Sequence, residues 1–359
     1  LSAVDSAQGR DGIDWRGAHA LSSRATPSRR TRAYALPSGP TRAIHCAALV
    51  RLSSAVRFAA WGVVAAGVAV PLVRRRARIP PPVVTAIAAA APLTLSVALP
   101  RSKKRDVALC VLQMYAYTVT YQMPNDDPEG LERRVHLDYP VRIDRLLGFG
   151  EMPNIRLQRW FAQPGRIRKR DQVLVWSHWL WFLFPHGTVA YVMWRHPDRF
   201  PRTAALTYAV FDLGLIGYWA VPTAPPWYAS LHGRLGESGD IAIRRMMVEH
   251  GEAFWKDSWE PLYSVLGGNP LAAMPSLHFA TSLMAAHLLT EAGPVEGAVG
   301  WSYALTLGFA LVYLGEHYLV DLLVGAALTE GVRAAAPTVA PAVSRLGRTL
   351  QALERRARG

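Results

Sequence analysis

The chain has 359 residues, of which 51% are hydrophobic and 18% charged, with a formal net charge of +14. Its length would accommodate two soluble domains, but the charges lie in blocks between apolar runs approaching the ~20 residues that span a bilayer, so the pattern is that of a polytopic helical membrane protein. The basic residues flank those runs, an arrangement that suits cytoplasmic anchoring and anionic lipid and argues against a nucleic-acid partner.

In chain order, residues 1–50 are rich in Arg, Ser, Gly and Pro without periodicity. They read as a disordered basic tail. They lack the short apolar core and small-residue cleavage site of a secretory signal. Residues 51–105 hold two apolar runs, 56–73 ending in RRRAR and 82–99 ending before RSKKRD. A third run, 107–123, carries Tyr115, Tyr117 and Tyr121 towards its end. Residues 124–171 are mostly polar, with Ile143, Leu146, Leu147, Phe149, Leu157, Trp160 and Phe161 set among arginines, and predict short amphipathic helices on the membrane surface. Further spans are expected at 172–194, 203–221, 275–289, 299–314 and 316–332, with a mixed loop at 222–274. Residues 336–359 read as a basic cytoplasmic tail. Cys46 and Cys110 offer neither a disulfide framework nor zinc spacing.

The chemistry concentrates between residues 269 and 328. His278 follows Pro275 and Ser276 at the mouth of an apolar run. His317 precedes Asp321 by four residues, so on a helix the imidazole and the carboxylate share one face. Pro275 suits the first position of a helix. The free amides of that helix start, with the Ser276 hydroxyl beside them, form a seat for an oxyanion.

The stretches NPLAAMPSLHFA and GEHYLVD resemble the second and third signature motifs of the type 2 phosphatidic acid phosphatase superfamily, and within it most resemble the inositol phosphorylceramide synthase branch. The resemblance implies that His317 attacks phosphorus and carries a phosphohistidine, that Asp321 orients it, and that His278 protonates the leaving group. The family pattern also places an arginine six residues before the nucleophile, where this chain has Leu311. Its first motif has a lysine and an Arg-Pro pair, whereas GYWAVPTAPPW offers Pro222 with no cation nearby. Both departures also resemble the synthase branch. A phosphoryl site without those cations still needs positive charge. Arg244, Arg245 and Lys256 precede PSLH in the chain, and Arg142 and Arg145 lie in the segment expected on the same membrane face.

Blander roles compete with these. HxxxD alone could be a pair of metal ligands, but His278 completes such a shell poorly, and neither a metal nor a cofactor is implied. His287 lies nine residues after His278 and faces away from it on a helix. His178 and His186 read as aromatic-belt or packing residues. Asp212 calls for a partner that the sequence does not name.

The expected architecture is therefore all-α: a membrane helical bundle with a six-span catalytic core over 106–335 and one or two added amino-terminal spans. The expected activity is transfer of an inositol phosphate-type headgroup from a phospholipid to a lipid or alcohol. A hydrolase of phosphatidate, phosphatidylglycerophosphate or polyprenyl phosphate is the first alternative, and a non-catalytic lipid-binding protein the second. RSKKRD, RHPDRFPR and the carboxy-terminal tail share one side if spans three to eight alternate, which places both histidines on the extracytoplasmic side of the membrane, the plasma membrane if the source is bacterial. RRRAR alone falls on the wrong side.

Overall fold

The computed structural model describes the backbone of residues 40–235, 243–266 and 269–358 and, of these, the side chains outside 40–52 and 264–266. Residues Ala48–Gly359 form one compact unit, which holds both histidine motifs. Residues 1–39 of the expected tail lie outside the described residues, and the backbone is already helical at Pro40.

The elements are helices α1 (Pro40–Ala77), α2 (Pro81–Ala98) and α3 (Lys103–Gln122), then the short helices α4 (Pro128–Arg134), α5 (Asp138–Leu147) and α6 (Pro153–Phe161). Next come α7 (Lys169–Trp179), α8 (Leu183–Arg195) and α9 (Phe200–Ala220). The loop after α9 folds into α10 (Pro226–Leu231), α11 (Met246–Trp255) and α12 (Trp259–Leu266), and the chain ends with α13 (Leu277–Ala292), α14 (Pro294–Tyr313) and α15 (Leu319–Arg358). Among the described residues the only strand-like pairings are isolated bridges, two of which tie Thr223 to His136 and to Ala272.

Among the described residues, three helical segments are long and apolar enough to cross a membrane: Ser53–Ala77, Pro81–Ala98 and Pro294–Tyr313. Helices occupy the other expected spans, with two differences. The fourth is broken by a single 3-10 turn at Leu180–Phe182, which separates α7 from α8. The basic tail expected from residue 336 is instead the second half of α15, which continues through Pro337 and Pro341 to Arg358. This extension is held by Glu354, which pairs with Arg105 at 3.2 Å and Arg358 at 2.6 Å, and by Ala357, buried against Ala60, Val97 and Ala98.

The core centres on α13, which packs against α14, α15, α9 and α8. Its Leu277, Ala280, Met284 and Leu288 meet Val210, Phe211, Leu215 and Tyr218 of α9, with Tyr117 of α3 and Val332 of α15 closing the cluster. Small residues let the helices approach: a Cβ on Gly325 of α15 would stand 2.7 Å from the Ser276 carbonyl oxygen. Asp212 and His287, each within an expected span, both find partners. Gln113 donates to both carboxylate oxygens of Asp212, at 3.0 and 2.9 Å, and His287 pairs with Glu330 at 2.7 Å.

Charge contacts gather at the two ends. Lys103 lies over the Trp194 ring, Arg202 pairs with Glu291, and Arg105 pairs with Glu354, so RSKKRD, RHPDRFPR and the carboxy-terminal helix meet at one end. Arg74 and Arg75 of RRRAR instead pair with Asp126, at the opposite end where residues 124–171 begin.

Candidate active site

The site forms where the amino-terminal ends of α13 and α15 meet. Ser276 is the N-cap of α13, its hydroxyl accepting from the Phe279 amide at 3.3 Å. Pro275 therefore lies one residue before the cap and not at the first helical position expected for it. The Ser276 amide donates to the Asp321 carbonyl at 3.0 Å, which joins the two helix starts. In the first turn of α15, Asp321 Oδ2 accepts from the Tyr318 amide at 2.9 Å and bonds His317 Nδ1 at 3.2 Å. His317 Nε2 then lies 3.1 Å from His278 Nδ1. Asp321 is fully buried and His317 nearly so.

Hydrogen bonds from other segments hold the turn that carries His317. Gly315 has φ +77, a left-handed conformation that a side chain would strain, and a Cβ there would also strike Ile243. The amides of Glu316 and His317 both donate to the Leu311 carbonyl, at 3.0 and 3.1 Å. Asn154 Nδ2 donates to the carbonyls of Val312 and His317, at 2.8 and 2.9 Å, and Gln158 Nε2 donates to the Tyr313 carbonyl at 2.9 Å. Asp144 accepts from the amides of Leu319 and Val320, at 2.8 and 2.9 Å, and so caps α15 from a distant part of the chain. Burial pushes the Asp144 carboxyl up to about 6.

These three buried polar side chains belong to the segment expected to be interfacial, and sequence reasoning does not single them out. The signal there is slight: one carboxylate and two amides on short helices otherwise dominated by arginine and apolar residues. His178, expected to be a packing residue, is also part of the site. Its ring stacks on His278 with centroids 4.8 Å apart. On another side of His278 lies Trp181, at 4.1 Å, its indole N–H donating to Thr281.

His178, His278, Glu316 and His317 line one cavity of about 390 Å³, walled further by Trp179, Trp181, Trp227 and Trp259. Among the described residues lining it there is no lysine or arginine. The cations expected from sequence lie elsewhere, because other groups or solvent claim them. Arg244 pairs with Glu249 and donates to the Gln163 carbonyl at 2.6 Å. Arg145 donates to the Leu235 carbonyl at 3.1 Å, and Arg142 and Lys256 are exposed. Arg245 comes nearest. Its guanidinium lies 3.7 Å over the Trp227 ring and donates to the Tyr263 hydroxyl, so it supports the cavity wall from behind. Ser276, expected beside the phosphate, is fully buried as a helix cap.

The arrangement is chemically specific. In the tautomer where His317 Nδ1–H donates to the Asp321 carboxylate, Nε2 carries the lone pair and accepts from His278 Nδ1–H.

The chain is similar in sequence to several known proteins. Inositol phosphorylceramide synthase of Candida albicans is 28% identical over 167 residues, covering 44% of this chain and 34% of that protein. The catalytic subunit of inositol phosphorylceramide synthase from Schizosaccharomyces pombe is 30% identical over 132 residues, 34% of this chain and 30% of the other. Phosphoinositol dihydroceramide synthase of Bacteroides thetaiotaomicron is 31% identical over 125 residues, 32% of this chain and 37% of the other. The chain thus matches about a third of the length of each relative. No solved structure matches it. Residues 141–335, more than half of the chain and inclusive of Asp144, His178, His278, His317 and Asp321, match the PAP2 superfamily, and the chain belongs to that superfamily.

Proposed function

We propose that this protein is an integral membrane phosphotransferase that moves an inositol phosphate-type headgroup from a phospholipid to a lipid or alcohol acceptor through a covalent histidine intermediate. The observation that carries the proposal is the run of contacts from Asp321 to His317 Nδ1, and from His317 Nε2 to His278 Nδ1, opening on a single cavity. The names of the three relatives support the choice of headgroup.

In the first half-reaction His317 Nε2 attacks phosphorus and the bond from phosphorus to the lipid oxygen breaks. His278 gives its Nδ1 proton to that oxygen, and the lipid alcohol leaves. Asp321 holds the tautomer and balances the positive charge that develops on His317. In the second half-reaction the acceptor hydroxyl passes its proton to His278 as its oxygen attacks phosphorus, and the nitrogen–phosphorus bond breaks. The 3.1 Å contact between the imidazoles leaves no room for phosphorus in line, so substrate entry must part them. The phosphate is held at the start of α13, where helix amides favour an anion. The histidine end of the bundle faces away from the cytoplasm, since the clustered basic segments occupy the other end.

The test is to incubate purified protein with phosphatidylinositol, with and without lipid alcohols, and to identify the products by mass. Headgroup transfer to the alcohol is expected. Release of inositol phosphate alone would identify a hydrolase, and no reaction with any lipid phosphate would refute the catalytic assignment.

A further inference from the structure

The cavity in front of the two histidines carries polar groups that the phosphoryl chemistry does not use. Glu316 lines it, with its carboxylate hydrogen-bonded by Trp227 and near Arg245, while its buried Oε1 is left without a partner among the described residues. Asn269, only 4% exposed, lines it from the segment that leads into α13. Its Oδ1 accepts from the Leu271 amide at 3.1 Å, while its Nδ2 is buried and unpaired. His178 Nδ1 is a third buried and unpaired atom on the same wall. A buried polar group left without a partner is costly, so three around one cavity mark the place of a ligand that both donates and accepts.

The remaining wall narrows the class. Trp179, Trp227 and Trp259 line it with rings whose faces are apolar, and Arg245 fixes two aromatic rings by lying over Trp227 and bonding Tyr263. Such faces suit the C–H surface of a ring, with the polar atoms left for hydroxyls at its rim. A carboxylate among aromatic rings also suits a quaternary ammonium. That cation, however, offers nothing to the Asn269 donor, and the Arg245 guanidinium behind the wall opposes it. A bare phosphate has no hydroxyl hydrogens to give Glu316 beyond its own acidic one, and it meets a carboxylate there. A cyclic polyol satisfies both groups.

We propose that Glu316 and Asn269 are the specificity-determining residues of this site, with Glu316 accepting from, and Asn269 donating to, ring hydroxyls of a cyclic polyol phosphate headgroup. The assignment rests on the proposed function for the position of the phosphate, beside His317. It deepens that proposal by naming the groups that choose the headgroup.

Binding to the purified full chain in detergent tests it without any turnover. The probes are myo-inositol 1-phosphate, phosphocholine and inorganic phosphate, read by calorimetry and by the fluorescence of the cavity tryptophans. The polyol phosphate should bind about tenfold or more tighter than either of the others. Glu316→Gln and Asn269→Leu should each weaken it about tenfold, the size of one lost hydrogen bond, while inorganic phosphate shifts less than about threefold. Glu316→Gln keeps the side-chain volume, so a folded variant remains even if Asn269→Leu fails to fold. Tightest binding of phosphocholine, no preference for the polyol phosphate, variants that leave the preference intact, or variants that weaken all three probes alike would each overturn the assignment. Binding in the expected pattern by a protein that forms no covalent histidine intermediate would refute the catalytic proposal and leave this one standing.

Discussion

His317 Nε2 and His278 Nδ1 lie 3.1 Å apart, within hydrogen-bonding distance. In the proposed mechanism a proton on His278 makes it the acid, and the bare nitrogen of His317 makes it the nucleophile. His278→Ala should therefore matter most when the leaving group needs a proton. Turnover of a phospholipid, whose leaving oxygen is an alkoxide, should fall about 10²–10⁴-fold. Turnover of a p-nitrophenyl ester, whose leaving group is stable as an anion, should fall far less. Equal losses on both substrates would assign His278 to binding and not to proton transfer.

Asp321→Asn preserves the side-chain shape but favours the wrong tautomer of His317. A loss on the order of 10³–10⁴-fold in kcat is expected, by analogy with the orienting aspartate of hydrolase triads. Steady-state kinetics on the folded variant checks this. A change below about tenfold would make Asp321 a purely structural link between Tyr318 and the helix start.

Asp144 gives the stability a pH dependence. Burial holds its carboxyl protonated up to about 6 in the folded chain, whereas an unfolded aspartate ionises near about 3.9. Between those values the folded state binds the extra proton, so the contribution of Asp144 is fully present below about pH 4 and is lost as pH rises through about 6. The loss amounts to roughly 2–3 kcal/mol, since each tenfold difference in proton affinity is worth ~1.4 kcal/mol. An asparagine side chain cannot titrate, so the difference in thermal stability between wild type and Asp144→Asn should change across about pH 4–6 and be flat above about 7. Parallel curves throughout would show that this carboxyl ionises as freely in the folded protein as in the unfolded one.

Orientation is tested with introduced cysteines after Cys46 and Cys110 are replaced. Glu129 is exposed in the segment at the histidine end, and Ser344 is exposed on α15. Glu129→Cys should react with a membrane-impermeant thiol reagent in intact cells, and Ser344→Cys only after the membrane is opened. The reverse pattern would put the chemistry in the cytoplasm.

Much of this architecture is legible in the sequence because it depends on local pattern. Apolar runs mark where the long helices lie, and the HxxxD spacing does bring Asp321 to His317, although His317 sits in the turn ahead of α15 and not on the helix face that the spacing assumes. The break at Leu180–Phe182 is hidden, because aromatic residues keep the run apolar on both sides of it. The helical tail is hidden by Pro337 and Pro341, which ordinarily argue for an end, and its contacts with Ala60, Val97 and Arg105 depend on partners some 250–300 residues away in the chain. The clamps are of that same long-range kind. Asn154 reaches His317 and Asp144 reaches Val320 across more than 150 positions, and no periodicity announces a contact made through a single amide or carboxylate. Loop arginines attract attention for their charge and their place in the chain, yet Arg244 is claimed by Glu249, five residues on.

The most direct test of the central claim is to trap the covalent intermediate. Purified protein incubated briefly with phosphatidylinositol, denatured in alkali and digested should yield a peptide carrying phosphoinositol on His317, stable in base and lost in acid. His317→Ala should give no such adduct and less than a few per cent of wild-type turnover. An adduct on His278, or turnover by His317→Ala near the wild-type level, would contradict the account.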